Sequence, residues 1–171
     1  PHLAYGGNVS CLVALKQATY VRQQSAEASA YIFYGDMQTP GQYEYFYRNV
    51  QADPGILFSC GEVRVVGEDR DRNMVLEVSD TLIGGDIQVA VDLLVLSTGM
   101  VPSTLDAEGA LGLAYLQGKN VPTTKFGYAD SHFICFPYET RRTGIYSAGA
   151  VRQATDLSAS TQDGRAASLK A

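Results

Sequence analysis

Two short segments of the sequence combine residue types that could bind a nucleotide-like ligand. In the first, an apolar run ends at Thr98, Gly99 and Met100; in the second, the segment Gly144–Gly149 ends in Ala-Gly and leads into a helix of small residues. Glycine lets the backbone approach a ligand closely, and the first turn of a helix offers N–H groups to an anion. Two strands that end in this way, in this order, are typical of the closing half of a flavin dinucleotide site.

The candidate cofactor-binding residues lie at these two glycine tips and at the start of the last helix. They are Thr98, Gly99, Met100, Gly149, Ala150, Thr155 and Asp156. We expect the first tip to line one side of an FAD isoalloxazine ring and the second to face its pyrimidine end. Helix N–H groups there would stabilise the reduced anion, with Thr155 or Asp156 capping the helix. No acid, base or nucleophile has a supporting partner in the sequence, so no catalytic residue is assigned.

The usual opening half of such a site, a G-x-G-x-x-G fingerprint after the first strand, is absent. A turn that begins at Gly6 stands in its place, with Asn8 and Cys11 where the second and third glycines would be. A Cβ at the second position obstructs a pyrophosphate, and one at the third loosens helix–strand packing. Asp36 is placed like the acid that binds an adenine ribose. A nicotinamide site and an ordinary turn with a solvated carboxylate both stay open here, and the second is favoured.

The cysteines, histidines and arginines give no further site pattern. Cys11, Cys60 and Cys135 form neither a zinc nor an iron–sulfur spacing, so we expect reduced, mostly buried thiols and no metal. His132 has no neighbouring ligand residue and is interpreted as structural or exposed. The segment 138–142 ends in the one basic pair near the second glycine tip; it could neutralise a phosphate, dock an acidic partner or form a solvated loop.

Composition excludes several classes of function. The chain has 171 residues, 46% of them apolar, which is enough for one globular domain or slightly more. A net charge of -5 argues against nucleic acid, whose binding surfaces are basic. No apolar run reaches the roughly 18 residues that span a bilayer. We therefore predict a cytoplasmic protein without direct membrane insertion and leave peripheral attachment to a membrane complex open. Pro1 cannot be an initiator residue, so we expect either a processed chain or a piece of a longer one, and the piece is favoured.

The hydrophobic pattern predicts the elements that must position these residues. In chain order they are a short strand over 3–5, a helix over 9–24, a strand over 30–34, a helix over 42–52, period-two strands over 56–93, a buried apolar strand over 93–96, an irregular or weakly helical stretch over 103–131, a strand over 145–148 and a helix over 155–170. Asn8 or Ser10 can cap the first helix. The order predicts an α/β fold of the FAD/NAD(P)-binding three-layer type: a small parallel sheet with helices and an antiparallel β-meander, followed by a partial FAD domain.

Five segments together are similar to a known family. They are Leu15–Ala18, Tyr31–Gly41, Tyr43–Tyr47, Asp92–Pro102 and Gly144–Gly149. Over nearly the whole chain this pattern resembles the family formed by the A subunits of heterodisulfide reductases. The nearest branch is the flavoprotein subunits of the quinone-interacting membrane-bound oxidoreductase. The tyrosine-rich part over 31–47 is the most specific.

The resemblance implies a thioredoxin-reductase-like flavoprotein whose FAD domain is split by an inserted nucleotide-binding-like module. Residues 1–96 would be the module and residues 97–171 the returning half of the FAD domain, with the opening half upstream. It also implies electron transfer through FAD within a multi-subunit complex of sulfur metabolism, whose other redox subunits are iron–sulfur proteins. The alternative is a cofactor-free docking module of such a complex, and whether FAD binds without the upstream half stays open.

The chain departs from the family pattern at two positions. Of the cysteine cluster that usually precedes the first helix of the module, only Cys11 is present, so no iron–sulfur centre is expected here. Ala150 stands where many disulfide reductases carry an acid that meets the ribityl chain of the flavin.

Overall fold

The computed structural model describes residues 3, 7–70, 72–102 and 120–171. The chain divides into two compact units, Pro1–Thr98 and Gly99–Ala171. The strand predicted over 3–5 and much of the stretch over 103–131 lie outside the described residues. The assignment of residues 1–96 to an inserted module and of 97–171 to half of an FAD domain stays a prediction.

The first unit contains two helices and a four-stranded sheet. The elements are α1 (Asn8–Gln24), β1 (Ala30–Tyr34), α2 (Tyr43–Gln51), β2 (Ile56–Glu68), β3 (Met74–Asp80) and β4 (Gly85–Val91). The strand order is β1-β2-β3-β4, with β1 parallel to β2 and the other neighbours antiparallel. The predicted α/β fold, with helices, a parallel strand pair and an antiparallel meander, is confirmed. Its finer assignment to the FAD/NAD(P)-binding type stays a prediction.

The core of the first unit joins the helices to the parallel strands. Leu15 and Ala18 of α1 and Val50 of α2 are buried together with Ile56 of β2, and aromatic residues such as Phe46 pack against them. Leu15 and Ala18 share one face of α1 because residues three apart lie on the same side of a helix. This packing fixes the carboxyl end of β1 relative to the first turn of α1.

Helix α1 differs from expectation at its start and on its apolar face. Gly7 is the N-cap residue and no side chain caps it, so the prediction of Asn8 or Ser10 as the cap is wrong; both lie inside the helix. Val13 and Val21, which the apolar pattern would bury, are 45% and 42% exposed. Fewer of the apolar residues of α1 pack on the sheet than the sequence pattern predicts.

Asp80 closes the turn between β3 and β4. Its carboxylate accepts hydrogen bonds from the Ser59 hydroxyl and from the backbone N–H groups of Leu82 and Ile83. The Ser59 bond, followed by the backbone bonds, lowers the pKa of Asp80 below the ordinary value. A carboxylate buried at this position is stable because hydrogen bonds replace its lost hydration.

The apolar run over 93–96, predicted as a buried strand, forms no strand. β4 ends at Val91, which pairs with Met74, the first residue of β3. Beyond this pair β3 offers no further residues for a backbone ladder. A continuous apolar run is a stable strand only when sheet neighbours flank it and both faces are covered. Leu93 and Leu96 are instead each 73% exposed.

The second unit contains a hairpin, a 3-10 turn and a helix. The elements are β5 (Ser131–His132), β6 (Phe136–Thr140), the 3-10 turn (Gly149–Val151) and α3 (Leu157–Lys170). The strand predicted over 145–148 is wrong: Tyr146 alone bridges to Glu139 of β6. The pairing stops there because the chain turns away from β6 at Gly149. No helix within the described ranges is long and apolar enough to cross a bilayer.

Candidate functional site

The first glycine tip straddles the division between the two units. Thr98 is the last residue of the first unit and Gly99 the first of the second. Gly99 has φ 85, a left-handed conformation that residues with a Cβ rarely adopt. The carbonyl of Met100 accepts a hydrogen bond of 2.8 Å from the hydroxyl of Tyr128, which is buried. The path of the chain after Gly99 is therefore fixed by a contact inside the second unit.

The second glycine tip is a tight turn that requires glycine. Gly149 has φ 66, and a Cβ placed on it would lie 3.1 Å from the Cβ of Ser160 in α3. Its N–H donates to the carboxylate of Asp163 at 2.8 Å, and its carbonyl accepts from the N–H of Arg152 at 2.9 Å. The turn thus lies directly against α3, and Gly149 has a backbone conformation that residues with a Cβ rarely adopt.

One dipeptide joins the two tips within the second unit. Tyr128 donates to the Met100 carbonyl, and the N–H of the next residue, Ala129, donates to the carbonyl of Val151 at 3.3 Å. Val151 is the last residue of the 3-10 turn that begins at Gly149. Met100 and the Gly149 turn are therefore linked through two adjacent residues, whereas Thr98 lies outside this arrangement.

A buried ion pair that the sequence analysis did not identify supports the turn. Asp163 of α3 accepts from Nη2 of Arg152 at 2.6 Å and from its Nε at 2.8 Å, while the guanidinium lies 5.0 Å from the ring centroid of Tyr138. The Arg152 hydrogen bond is the main cause that lowers the pKa of Asp163, and the same bond raises the pKa of Arg152. Arg152 directly follows the 3-10 turn and Asp163 lies in α3, so the pair joins two different elements and only the fold brings the side chains together.

A second missed residue is Ser147. It is 7% exposed, its N–H donates to the carbonyl of Tyr138 at 2.9 Å, and its Oγ is the one buried side-chain oxygen or nitrogen among the described residues that has no hydrogen-bond partner. Buried polar groups are normally paired, and an unpaired one costs about 1–3 kcal/mol. An orphaned hydroxyl two residues before a left-handed glycine fits a site for the polar edge of a ligand.

The start of the last helix matches the prediction in part. Asp156 is the N-cap of α3, and its carboxylate accepts from the N–H of Ala159 at 2.9 Å, which confirms the predicted cap. Thr155 is buried just before it. The Asp156 carboxylate therefore supplies the negative charge that the N-terminal end of a helix favours.

The basic pair over 141–142 is engaged with the chain's own groups. Arg141 forms an ion pair of 3.1 Å with Asp130, and Nε of Arg142 donates to the carbonyl of Asn120 at 3.2 Å. Neutralisation of a phosphate, docking of an acidic partner and a solvated loop all stay open for this pair.

Two thiols bind the turn after β1. The Sγ of Cys11 donates to the carbonyl of Asp36 at 3.7 Å, and the Sγ of Cys60 donates to the carbonyl of Gly35 at 3.5 Å. All three cysteines are free thiols; Cys11 and Cys60 are partly buried, whereas Cys135 is exposed, so the prediction of a mostly buried thiol is wrong for Cys135. Within the described residues, no group of three or more His, Cys, Asp or Glu side chains could hold a metal ion. A nucleotide role for Asp36, whose side chain is exposed, stays a prediction.

No protein-family model matches the chain. Curated proteins do. It is 32% identical over 169 residues to the second iron–sulfur A subunit of the CoB–CoM heterodisulfide reductase of Methanopyrus kandleri, a match that covers 98% of this chain and 25% of that protein. It is 30% identical over 155 residues to the corresponding A subunit of Methanocaldococcus jannaschii, covering 90% of this chain and 23% of that protein. The chain is a homologue of the A subunits of heterodisulfide reductases.

This heterodisulfide reductase homologue spans about a quarter of the length of the curated relatives it matches. A third relative, a protein of Archaeoglobus profundus named as similar to the A subunit, is 30% identical over 98% of this chain and is matched over 23% of its own length. Another, from Methanosarcina acetivorans, is named as the A subunit of a ferredoxin:CoB-CoM heterodisulfide reductase. The relatives are thus subunits of oxidoreductase complexes. The predicted resemblance to the A-subunit family is confirmed, and the quinone-interacting branch stays a prediction.

Proposed function

We propose that this heterodisulfide reductase homologue is part of a flavin-dependent electron-transfer oxidoreductase of the heterodisulfide reductase type, with FAD bound at the glycine turns of the second unit. The observation that carries the proposal is Ser147, whose buried hydroxyl is unpaired beside the left-handed turn at Gly149. The pyrimidine end of an isoalloxazine ring carries both N–H and C=O groups. Either would satisfy this hydroxyl.

FAD, when bound, supplies the electron-carrying chemistry, and the protein's part is to position the ring and tune its potential. At the second tip, Gly149 makes the left-handed turn that packs against α3, and the Ser147 hydroxyl two residues earlier would form a hydrogen bond to the pyrimidine end. The Gly149 N–H is committed to Asp163, so we assign the donor role at this end to the N–H of Ala150. At the first tip, Gly99 and Met100, both in the second unit, would line the other side of the ring.

The proposal extends to partners and location. The name of the Methanosarcina acetivorans relative couples its heterodisulfide reductase to ferredoxin, an iron–sulfur protein. We propose that this chain acts in a multi-subunit complex of sulfur metabolism in the cytoplasm, with iron–sulfur redox subunits as its neighbours.

A cofactor-free docking module of such a complex is the second candidate. Apolar side chains at the β5–β6 hairpin support it: Phe133, Ile134 and Phe136 are 76%, 74% and 60% exposed. Clustered apolar exposure of this kind is typical of a surface that contacts a partner.

The two candidates differ in what the purified chain does with FAD. We expect added FAD to bind, with a perturbed flavin absorption spectrum that dithionite bleaches and with quenched flavin fluorescence. NADH, titrated in parallel, should cause no fluorescence change. A chain that stays colourless and leaves the FAD spectrum unchanged, yet retains iron–sulfur redox subunits of the complex in a pull-down, would favour the docking module and contradict the flavin proposal.

A further inference from the structure

Cys60 lies on the helix-facing side of the sheet. Along β2, alternate residues point to the same face, and Ile56 and Phe58 on that face pack into the core beneath α1 and α2. Cys60 continues this series at the position paired with Tyr34, the last residue of β1. Its side chain therefore lies on the side of the sheet that the helices cover, at the carboxyl end of β1.

Cys11 approaches the same place from the helix. It precedes Leu15 by four residues and Ala18 by seven, so the three side chains form one stripe along α1. Leu15 and Ala18 are buried against the sheet. Cys11 extends this stripe toward the first turn of α1, beyond the edge of the core, which explains why it is only half-buried.

The two thiols bind the same turn. The Sγ of Cys60 donates to the carbonyl of Gly35 at 3.5 Å, and the Sγ of Cys11 donates to the carbonyl of Asp36, the next residue, at 3.7 Å. Two side chains 49 positions apart in sequence thus bind consecutive carbonyl groups from the same side of the sheet. Both are partly accessible, and neither is used by the proposed flavin site, which lies in the other unit.

We propose that Cys11 and Cys60 form a redox-active dithiol that exchanges with disulfide compounds. One cysteine thiolate attacks a sulfur of a disulfide R–S–S–R, which gives a mixed disulfide and releases R–S⁻. The second cysteine thiolate then attacks the protein sulfur of that mixed disulfide and releases the second R–S⁻. The balance is two protein thiols and one disulfide on one side, one protein disulfide and two free thiols on the other. This inference is independent of the flavin proposal.

The chain contains its own reference thiol. Cys135 lies in the β5–β6 hairpin of the second unit, is exposed, and has its backbone N–H bonded to Nδ1 of His132 at 3.2 Å. As the most exposed of the three, it should react fastest with a simple alkylating reagent. Selective pairing of Cys11 with Cys60 therefore cannot be explained by exposure.

The test is oxidation of the folded chain with an excess of a small disulfide, such as oxidised glutathione, followed by blocking of free thiols and peptide mapping by mass spectrometry. We expect an intramolecular disulfide between the peptides that contain Cys11 and Cys60, formed in the wild type and equally in Cys135→Ser. In Cys11→Ser and Cys60→Ser, the remaining partner should stop at the mixed disulfide with glutathione. Circular dichroism of each variant checks that it is folded.

The following results would overturn the proposal. The first is that glutathione stays attached to both Cys11 and Cys60 in the folded wild type without conversion to a protein disulfide. The second is a product distribution in which Cys135 pairs with either cysteine as often as they pair with each other. The third is a Cys11–Cys60 link that forms only in denaturant, or both thiols remaining unmodified when Cys135 has reacted.

Discussion

The N–H of Gly149 and the guanidinium of Arg152 donate to the same carboxylate, that of Asp163, at 2.8 Å and at 2.6–2.8 Å. One side chain of α3 therefore binds both the first residue of the 3-10 turn and the residue that follows it. These bonds stabilise the left-handed conformation of Gly149, two residues after the unpaired Ser147 hydroxyl. Gly149, Arg152 and Asp163 thus depend on one another in the fold.

Removal of the Asp163 carboxylate should destabilise the chain strongly. The side chains of Arg152 and Asp163 are 19% and 9% exposed, so Asp163→Ala leaves a largely buried cation unpaired. We expect a loss of about 3 kcal/mol in the free energy of unfolding, measured by urea denaturation. The matched control is Asp130→Ala, which breaks the Arg141–Asp130 pair with side chains 49% and 37% exposed, and which should cost less than about 1 kcal/mol. Equal losses in the two variants would contradict this account.

Stability should fall at acid pH through the Asp163 carboxyl. Its pKa in the folded chain is lowered, chiefly by the Arg152 hydrogen bond, so its contribution is complete above the unfolded pKa near 3.8 and disappears as pH falls through the folded value. Unfolding free energies measured between about pH 7 and pH 2 should therefore decline most steeply below about pH 4. In Asp163→Asn that decline should be shallower, because the titrating group is gone. An unchanged pH slope in Asp163→Asn would show that other carboxyl groups dominate.

Two glycines should respond to alanine in opposite directions. Gly149→Ala introduces a Cβ at φ 66 and 3.1 Å from the Cβ of Ser160, so we expect a loss of about 1–2 kcal/mol of stability. Gly164, inside α3, has open space around its missing Cβ, and Gly164→Ala should raise stability by about 0.4–1 kcal/mol. Thermal unfolding of the two variants beside the wild type makes the comparison. A gain, or no change, in Gly149→Ala would remove the claim that this turn requires glycine.

Two serines with different bonding should separate binding from stability. Ser147→Ala deletes a hydroxyl that has no protein partner, so the free chain should be as stable as the wild type or slightly more stable. Its affinity for FAD should fall about five- to tenfold, the loss of one hydrogen bond of about 1 kcal/mol or slightly more. Ser131→Ala deletes a hydroxyl bonded to the carbonyl of Pro137 at 3.3 Å, so it should lower stability and leave FAD affinity unchanged. Loss of stability without loss of FAD affinity in Ser147→Ala would overturn the role given to Ser147.

Local pattern predicts much of this fold. Strand Ala30–Tyr34 has the predicted bounds, and α3 begins within two residues of the predicted position with Asp156 as its cap. These features depend on side-chain preferences and on caps, which are properties of short segments. The apolar run over 93–96 has the same kind of signal and still forms no strand, because strand formation also needs a neighbouring strand, and β3 begins only at Met74.

Only the glycine residues of the candidate site could be predicted from the sequence. The sequence analysis singled out Gly99 and Gly149, and both adopt positive φ. Asp163, Arg152 and Ser147 were missed for a physical reason: pairing across eleven residues, and the absence of a partner for a hydroxyl, are determined by tertiary contacts. An aspartate inside a helix of small residues is the one sequence signal that could have drawn attention to Asp163.

The most direct test of the flavin proposal is hydrogen exchange of the backbone amides with and without FAD, followed by peptide-resolved mass spectrometry. We expect slower exchange on FAD addition in peptides that cover 99–100 and 146–152, and unchanged exchange in the meander peptides of β3 and β4. Protection confined to the turn at Gly35 and Asp36, or no protection anywhere at FAD concentrations that saturate flavoproteins, would contradict it.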